Sequence, residues 1–137
     1  MRFSALSEFM VTLVVCTTCR GQGVGRAGGS GGEAFLRMLE TCLVARSDVA
    51  GLRIQKMACL FACTSHCVVY LRAEKKMGYL LGRFPPDYPS TQALLDYIAH
   101  YKDSANGEVP YSYWPELVKG RFIARIPPAD LVLENGT

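Results

Sequence analysis

Five of the six cysteines in this chain fall in two short groups, Cys16-Thr-Thr-Cys19 and Cys59-Leu-Phe-Ala-Cys63-Thr-Ser-His66-Cys67. Paired thiolates drawn from distant parts of a chain can converge on one metal centre, and four of them suit zinc or a [2Fe–2S] cluster. Cys16, Cys19, Cys59, Cys63 and Cys67 are therefore all candidate ligands. Five compete for four positions, so one is spare. The four-residue spacing would hold Cys59, Cys63 and Cys67 on one helical face with about 40° of drift per step, or let a loop wrap a centre. His66 lies inside the second group. Rieske-type centres need two histidines, and His100 belongs to a helical segment, so His66 reads as a hydrogen-bonding neighbour or a surface residue. Arg20, beside Cys19, either offsets the charge of a thiolate-bound centre or is simply solvated.

Other chemistries fit these residues less well. Cys-x-x-Cys after a first strand is also the thioredoxin redox motif, which makes thiol–disulfide exchange by Cys16 and Cys19 the second reading. The glycine run that follows separates the pair in sequence from the next helix, which argues against activation of the thiol by a helix terminus. Gly23-Val-Gly25-Arg-Ala-Gly28 matches a dinucleotide-binding pattern. Seven residues intervene between Val15 and Gly23, whereas a Rossmann glycine follows its strand almost at once. The carboxylates are dispersed and no nucleophile–base pair is legible, so an electron carrier or metal-binding protein is expected rather than an enzyme.

The elements that must position the cysteines can be read from periodicity. Val11–Val15 is a short β-branched run ending on Cys16, as a buried strand does, with the cysteines at its C-terminal mouth. Seven glycines lie between Gly21 and Gly32, a loop composition. Ser30-Gly-Gly-Glu33 is a capping-box pattern, starting a helix near Gly31 with Phe35, Leu36, Leu39, Cys42 and Leu43 on its apolar stripe. Cys42 is thus a small core residue. Leu52–Met57 alternates as a half-buried strand, and Val68–Leu71 with Met77–Leu81 suits a hairpin. Ser90 is positioned to cap a helix facing inward through Leu94, Leu95, Ile98 and Tyr101, ending at Asn106-Gly107. The order is β-α-β, cysteine loop, β-hairpin and closing helix, an α/β sandwich of thioredoxin-like type. On this reading 1–10 is an N-terminal extension, 11–107 a metal-binding domain, and 108–137 a C-terminal tail whose aromatics pack on it.

At 137 residues, 50% apolar and 20% charged, the chain fits one globular core. A net charge of +3 with scattered basic residues argues against nucleic acid. No stretch approaches the roughly 18 apolar residues that cross a bilayer. Glu8 interrupts the apolar N-terminus and no small-x-small cleavage site follows, so no signal peptide is read and a cytoplasmic location is expected. In that compartment clustered cysteines favour metal or redox roles; were it oxidising, six cysteines would allow 15 disulfide connectivities.

Val15-Cys16-Thr-Thr-Cys19-Arg20, Ala58-Cys59-Leu-Phe-Ala-Cys63 running into Cys67-Val-Val-Tyr70, and Ala124-Arg-Ile-Pro-Pro128 together resemble a family of small uncharacterised proteins. Its members are described as predicted metal-binding proteins of unknown function, often noted near cobalt or cobalamin genes. The Cys59–Cys63 segment with its hairpin and final helix is also similar to the thioredoxin-like [2Fe–2S] ferredoxins. That resemblance implies Cys16 as first ligand, Cys59 and Cys63 as the later pair, a redox or metal-pathway partner, and the option of a homodimer. The ferredoxins place their second ligand further along the first loop, where this chain has only glycines. Cys19 or Cys67 must then supply it, and zinc stands as the alternative metal.

Overall fold

The computed structural model describes residues 11–17, 31–58 and 67–128. Five strands form one mixed sheet in the order β2-β1-β3-β4-β5. They are β1 (Val11–Cys16), β2 (Arg53–Met57), β3 (Val69–Ala73), β4 (Gly78–Leu81) and β5 (Phe122–Ile126). Helix α1 (Gly31–Val44) joins β1 to its parallel neighbour β2, as a parallel pair requires a crossover. Helix α2 (Tyr88–Asp103) follows the β3–β4 hairpin. The thioredoxin-like α/β arrangement expected from the element order is the one found.

Alternation along β1 divides the sheet into two faces. Val11, Leu13 and Val15 enter the main core with Phe35, Leu36, Leu39 and Cys42 of α1 and Leu94, Leu95, Tyr97, Ile98 and Tyr101 of α2. Thr12, Val14 and Cys16 point the other way, where Cys16 packs with Val68 and Leu80. Cys42 is buried in the main core as its place on the helical stripe predicts, and burial pushes its thiol pKa up.

Three details differ from the sequence reading. Asp87, not Ser90, caps α2: its carboxylate accepts from the Ser90 backbone N–H at 2.9 Å. Pro89 is accommodated in the first turn, where no intrahelical N–H bond is needed, so the helix begins before the proline rather than after it. It ends at Asp103, with Ser104 as its C-cap, ahead of Asn106-Gly107. The third concerns the C-terminal segment, which packs on the domain and also completes the sheet. Trp114 donates to the Val109 carbonyl at 2.9 Å and lies 4.7 Å from the Phe122 ring, and β5 pairs antiparallel with β4. The Ser30 capping-box expectation lies outside the described residues.

Two tethers fix α2. Tyr101 donates its hydroxyl to the Met77 carbonyl at 2.5 Å, and burial raises the phenol's pKa. Tyr101→Phe is expected to cost about 1–3 kcal/mol, because the buried carbonyl loses its side-chain donor while the ring remains; chemical denaturation measures it. Arg46, after α1, donates to Asp48 and Asp96 at 2.7 Å each and to the Gln92 side chain at 2.9 Å. The Arg46 hydrogen bond holds the Asp48 carboxyl below the usual range. A depressed folded-state pKa gives stability that is present above the unfolded value of about 3.9 and is lost as pH falls through the folded one. Asp48 is half exposed, so Asp48→Asn should cost under about 1 kcal/mol at neutral pH. The gap from wild type should close in urea melts as the pH falls below the unfolded value and through the lower folded one.

Candidate metal centre

The parallel β1–β2 pair decides where the cysteine groups meet. Cys16 at the end of β1 is in register with Met57 at the end of β2, so Cys16-Thr17 and Met57-Ala58 leave the sheet side by side. β3 runs antiparallel to β1, and Cys67-Val68 therefore enters at that same end. Two backbone hydrogen bonds and one from a side chain lock the junction: Cys16 N–H donates to Val68 O at 3.0 Å, Thr17 N–H to Met57 O at 2.9 Å, and the Thr17 hydroxyl to that same carbonyl at 3.3 Å. The Cys16 thiol, 2% exposed, points to the Ala58 carbonyl 3.7 Å away. Ala58 is the residue directly before Cys59. The C-terminal mouth of β1, read from sequence as the site, is thus where both cysteine segments begin.

Cys67 sits differently. It is fully buried at 1% exposure and belongs to the main helical-side core, whereas Cys16 belongs to the small cluster on the opposite face. Its backbone is left-handed, with φ 55°, a conformation that β-carbon sterics disfavour. The turn carries the chain into β3 while sending the Cys67 side chain inward. The structure therefore brings Cys16, Ala58 and the backbone of Cys67 together, without placing the Cys16 and Cys67 side chains in one cluster. Cys19, Cys59, Cys63, His66 and Arg20 lie outside the described residues. Among the described residues there is no group of three or more His, Cys, Asp or Glu side chains able to hold a metal.

The helix start is nearer the cysteine than its sequence distance suggests. A β-carbon on Gly32 would come within 1.9 Å of the Cys16 carbonyl oxygen, 2.9 Å of its carbonyl carbon and 3.1 Å of Thr17 Cα. The glycine run separates Cys16 from α1 along the chain but not in space, which corrects that part of the sequence reading. What meets the helix is the Cys16 carbonyl. Beside the junction a cavity of about 470 Å³ is lined by Thr17, Glu33, Arg37, Lys56 and Met57, with both signs of charge on its wall. Sequence reasoning missed Gly32 and Val68 as parts of the site. Gly32 sat within a run of glycines, any of which would serve a loop, and Val68 contributes only a carbonyl. His100, on α2, stacks on Tyr113 with ring centroids 5.1 Å apart.

No helix among the described residues is long and apolar enough to cross a membrane. No curated protein matches the chain. Among solved structures, a thioredoxin-like [2Fe–2S] ferredoxin from Aquifex aeolicus is similar with a TM-score of 0.56 and 17% identity, over 88% of this chain and 96% of that one. A second structure, of the wild-type thioredoxin-like [2Fe–2S] ferredoxin from the same organism, has a TM-score of 0.48 and 16% identity, over 71% and 89% of the two chains. At these identities the likeness is one of fold. The model of a family described as a protein of unknown function (DUF1636) matches residues 13–128, and the chain belongs to that family.

Proposed function

We propose that this protein holds a [2Fe–2S] cluster through cysteine thiolates at the C-terminal mouth of β1, and serves one-electron transfer or redox sensing. The observation that carries the reading is the junction itself. Thr17 is hydrogen-bonded to Met57, and the Cys16 thiol contacts Ala58, so the two cysteine segments start from one point of the sheet. The donor set fits the group, since soft thiolates are what such a cluster requires. Cys16, Cys59 and Cys63 are three of the ligands. Burial of the Cys67 side chain in the main core favours Cys19 as the fourth. Fold likeness to a [2Fe–2S] ferredoxin supports the choice of cluster over zinc.

A bound cluster would supply the one-electron chemistry. The chain's own part is to anchor the ligand segments, to keep Cys16 from solvent and to present the rim on which a redox or metal-pathway partner docks. Near-complete burial of the Cys16 thiol speaks against thiol–disulfide exchange, which needs an accessible nucleophile. Serine substitution of Cys19 and Cys67, one at a time, tests the ligand set by metal content per chain. Cys19→Ser should lose the metal and Cys67→Ser should retain it. The reverse result would overturn the assignment of the fourth ligand, and metal retention in both would remove each of them from the site.

A further inference from the structure

At the opposite end of β1 from Cys16, the sheet face that bears Thr12 carries a second concave site. Register places Arg53 of β2 and Arg72 of β3 directly across from Thr12, one on either side, so both arginines project from the same face as the threonine. Together with Tyr70, Lys75 and Gly78 they line a cavity of about 390 Å³. Thr12 is 6% exposed, and its hydroxyl makes no hydrogen bond among the described residues while remaining open to solvent, which leaves it available to a molecule in the cavity.

Arg72 is held in place without being neutralised. Arg72 donates to the Gln55 side-chain oxygen at 3.1 Å, and its guanidinium lies 6.0 Å from the centre of the Tyr70 ring. Tyr70 in turn rests against Gly78, where a β-carbon would stand 3.0 Å from the ring and 3.3 Å from the hydroxyl. The glycine lets the ring lie down against β4. Arg53, Arg72 and Lys75 have no carboxylate within ion-pair distance among the described residues, and Glu74 is the one acid on the cavity wall. Lys76 is otherwise engaged: its ammonium donates to the Tyr101 and Lys102 carbonyls at the end of α2. Two arginines flanking a threonine hydroxyl, with Glu74 as the one acid on the wall, form a cradle rich in N–H and O–H donors. Guanidinium groups pair with oxyanions through parallel N–H bonds.

We propose that this cavity binds a small organic anion, whose phosphate or carboxylate oxygens accept from Arg53, Arg72 and the Thr12 hydroxyl. At about 3.3 Å per residue it lies about 13 Å along β1 from Cys16, so it does not rest on the metal reading. The test is a titration of the isotopically labelled full chain with inorganic phosphate, and separately with citrate, at constant ionic strength. Amide shifts read the binding. Saturable shifts centred on Thr12, Arg53 and Arg72 are expected with at least one anion, and the tighter of the two identifies a phosphate or a carboxylate ligand. Arg72→Gln and Thr12→Val should each weaken binding by about tenfold or more, since each removes a donor to a charged acceptor. Arg125→Gln, which removes a cation from β5, should leave it unchanged. Shifts that never saturate, that are unaffected by Arg72→Gln and Thr12→Val, or that weaken equally in Arg125→Gln would overturn the proposal.

Discussion

On the proposed ligand set, replacing Cys16 by serine should leave a folded chain that does not retain a metal. Loss of a hydrogen-bond partner behind a metal ligand typically costs about 10–100-fold in affinity, and loss of the ligand itself should exceed that. The fold should survive, because among the described residues Cys16 packs in the small cluster with Val68 and Leu80 rather than in the main core. Cys42 provides the contrast. It is equally buried but lies among the α1 and α2 side chains of the main core. Cys42→Ser should cost about 1–3 kcal/mol by burying a hydroxyl, yet leave metal content unchanged. Metal analysis and urea melts on the two variants separate a ligand from a core thiol. If both variants retain metal, Cys16 is not a ligand.

A methyl group at Gly32 should be strongly destabilising. Its β-carbon would stand 1.9 Å from the Cys16 carbonyl oxygen, and every atom it meets is backbone, so no side chain can rotate away. Alanine is ordinarily favoured over glycine in a helix by about 1 kcal/mol, but overpacking against a well-packed neighbour costs about 1–3 kcal/mol, and here both sides of the contact are regular structure. The clash wins. Gly32→Ala should lose about 2 kcal/mol or more, and should also loosen metal binding, because the strand end that must move carries Cys16. Gly120 offers a control of a different kind. It has φ +82° with nothing within 4 Å of an added β-carbon, so Gly120→Ala should cost only the left-handed backbone penalty of about 1–2 kcal/mol and leave the metal untouched. Thermal or urea denaturation of the two variants checks the ranking, with metal content as the second readout.

The strands and helices were legible because each has its own period. β1 shows as a β-branched run, α1 as the stripe through Phe35, Leu39 and Cys42, and both persist in the fold with their expected faces inward. Taking Ser90 as the cap starts α2 too late, since a first-turn proline such as Pro89 breaks no helical hydrogen bond. Alternating apolar residues from Phe122 to Ile126 were visible, but not their pairing with β4, some forty residues earlier, since strand register is a non-local property. The same limit applies at the site. Spacing alone left Cys19 and Cys67 equal as fourth ligand. The left-handed turn at Cys67 and the core its side chain enters, which are our grounds for proposing Cys19, are not encoded by periodicity.

The central claim is that cysteine segments meeting beside Cys16 hold an iron–sulfur cluster. Iron and acid-labile sulfide analysis of anaerobically purified protein, together with its visible absorption spectrum, tests this most directly. A brown protein with about two irons and two sulfides per chain, bleached by reductant, is the predicted result. A colourless protein with one zinc per chain, or one with no metal that reduces disulfides, would contradict it.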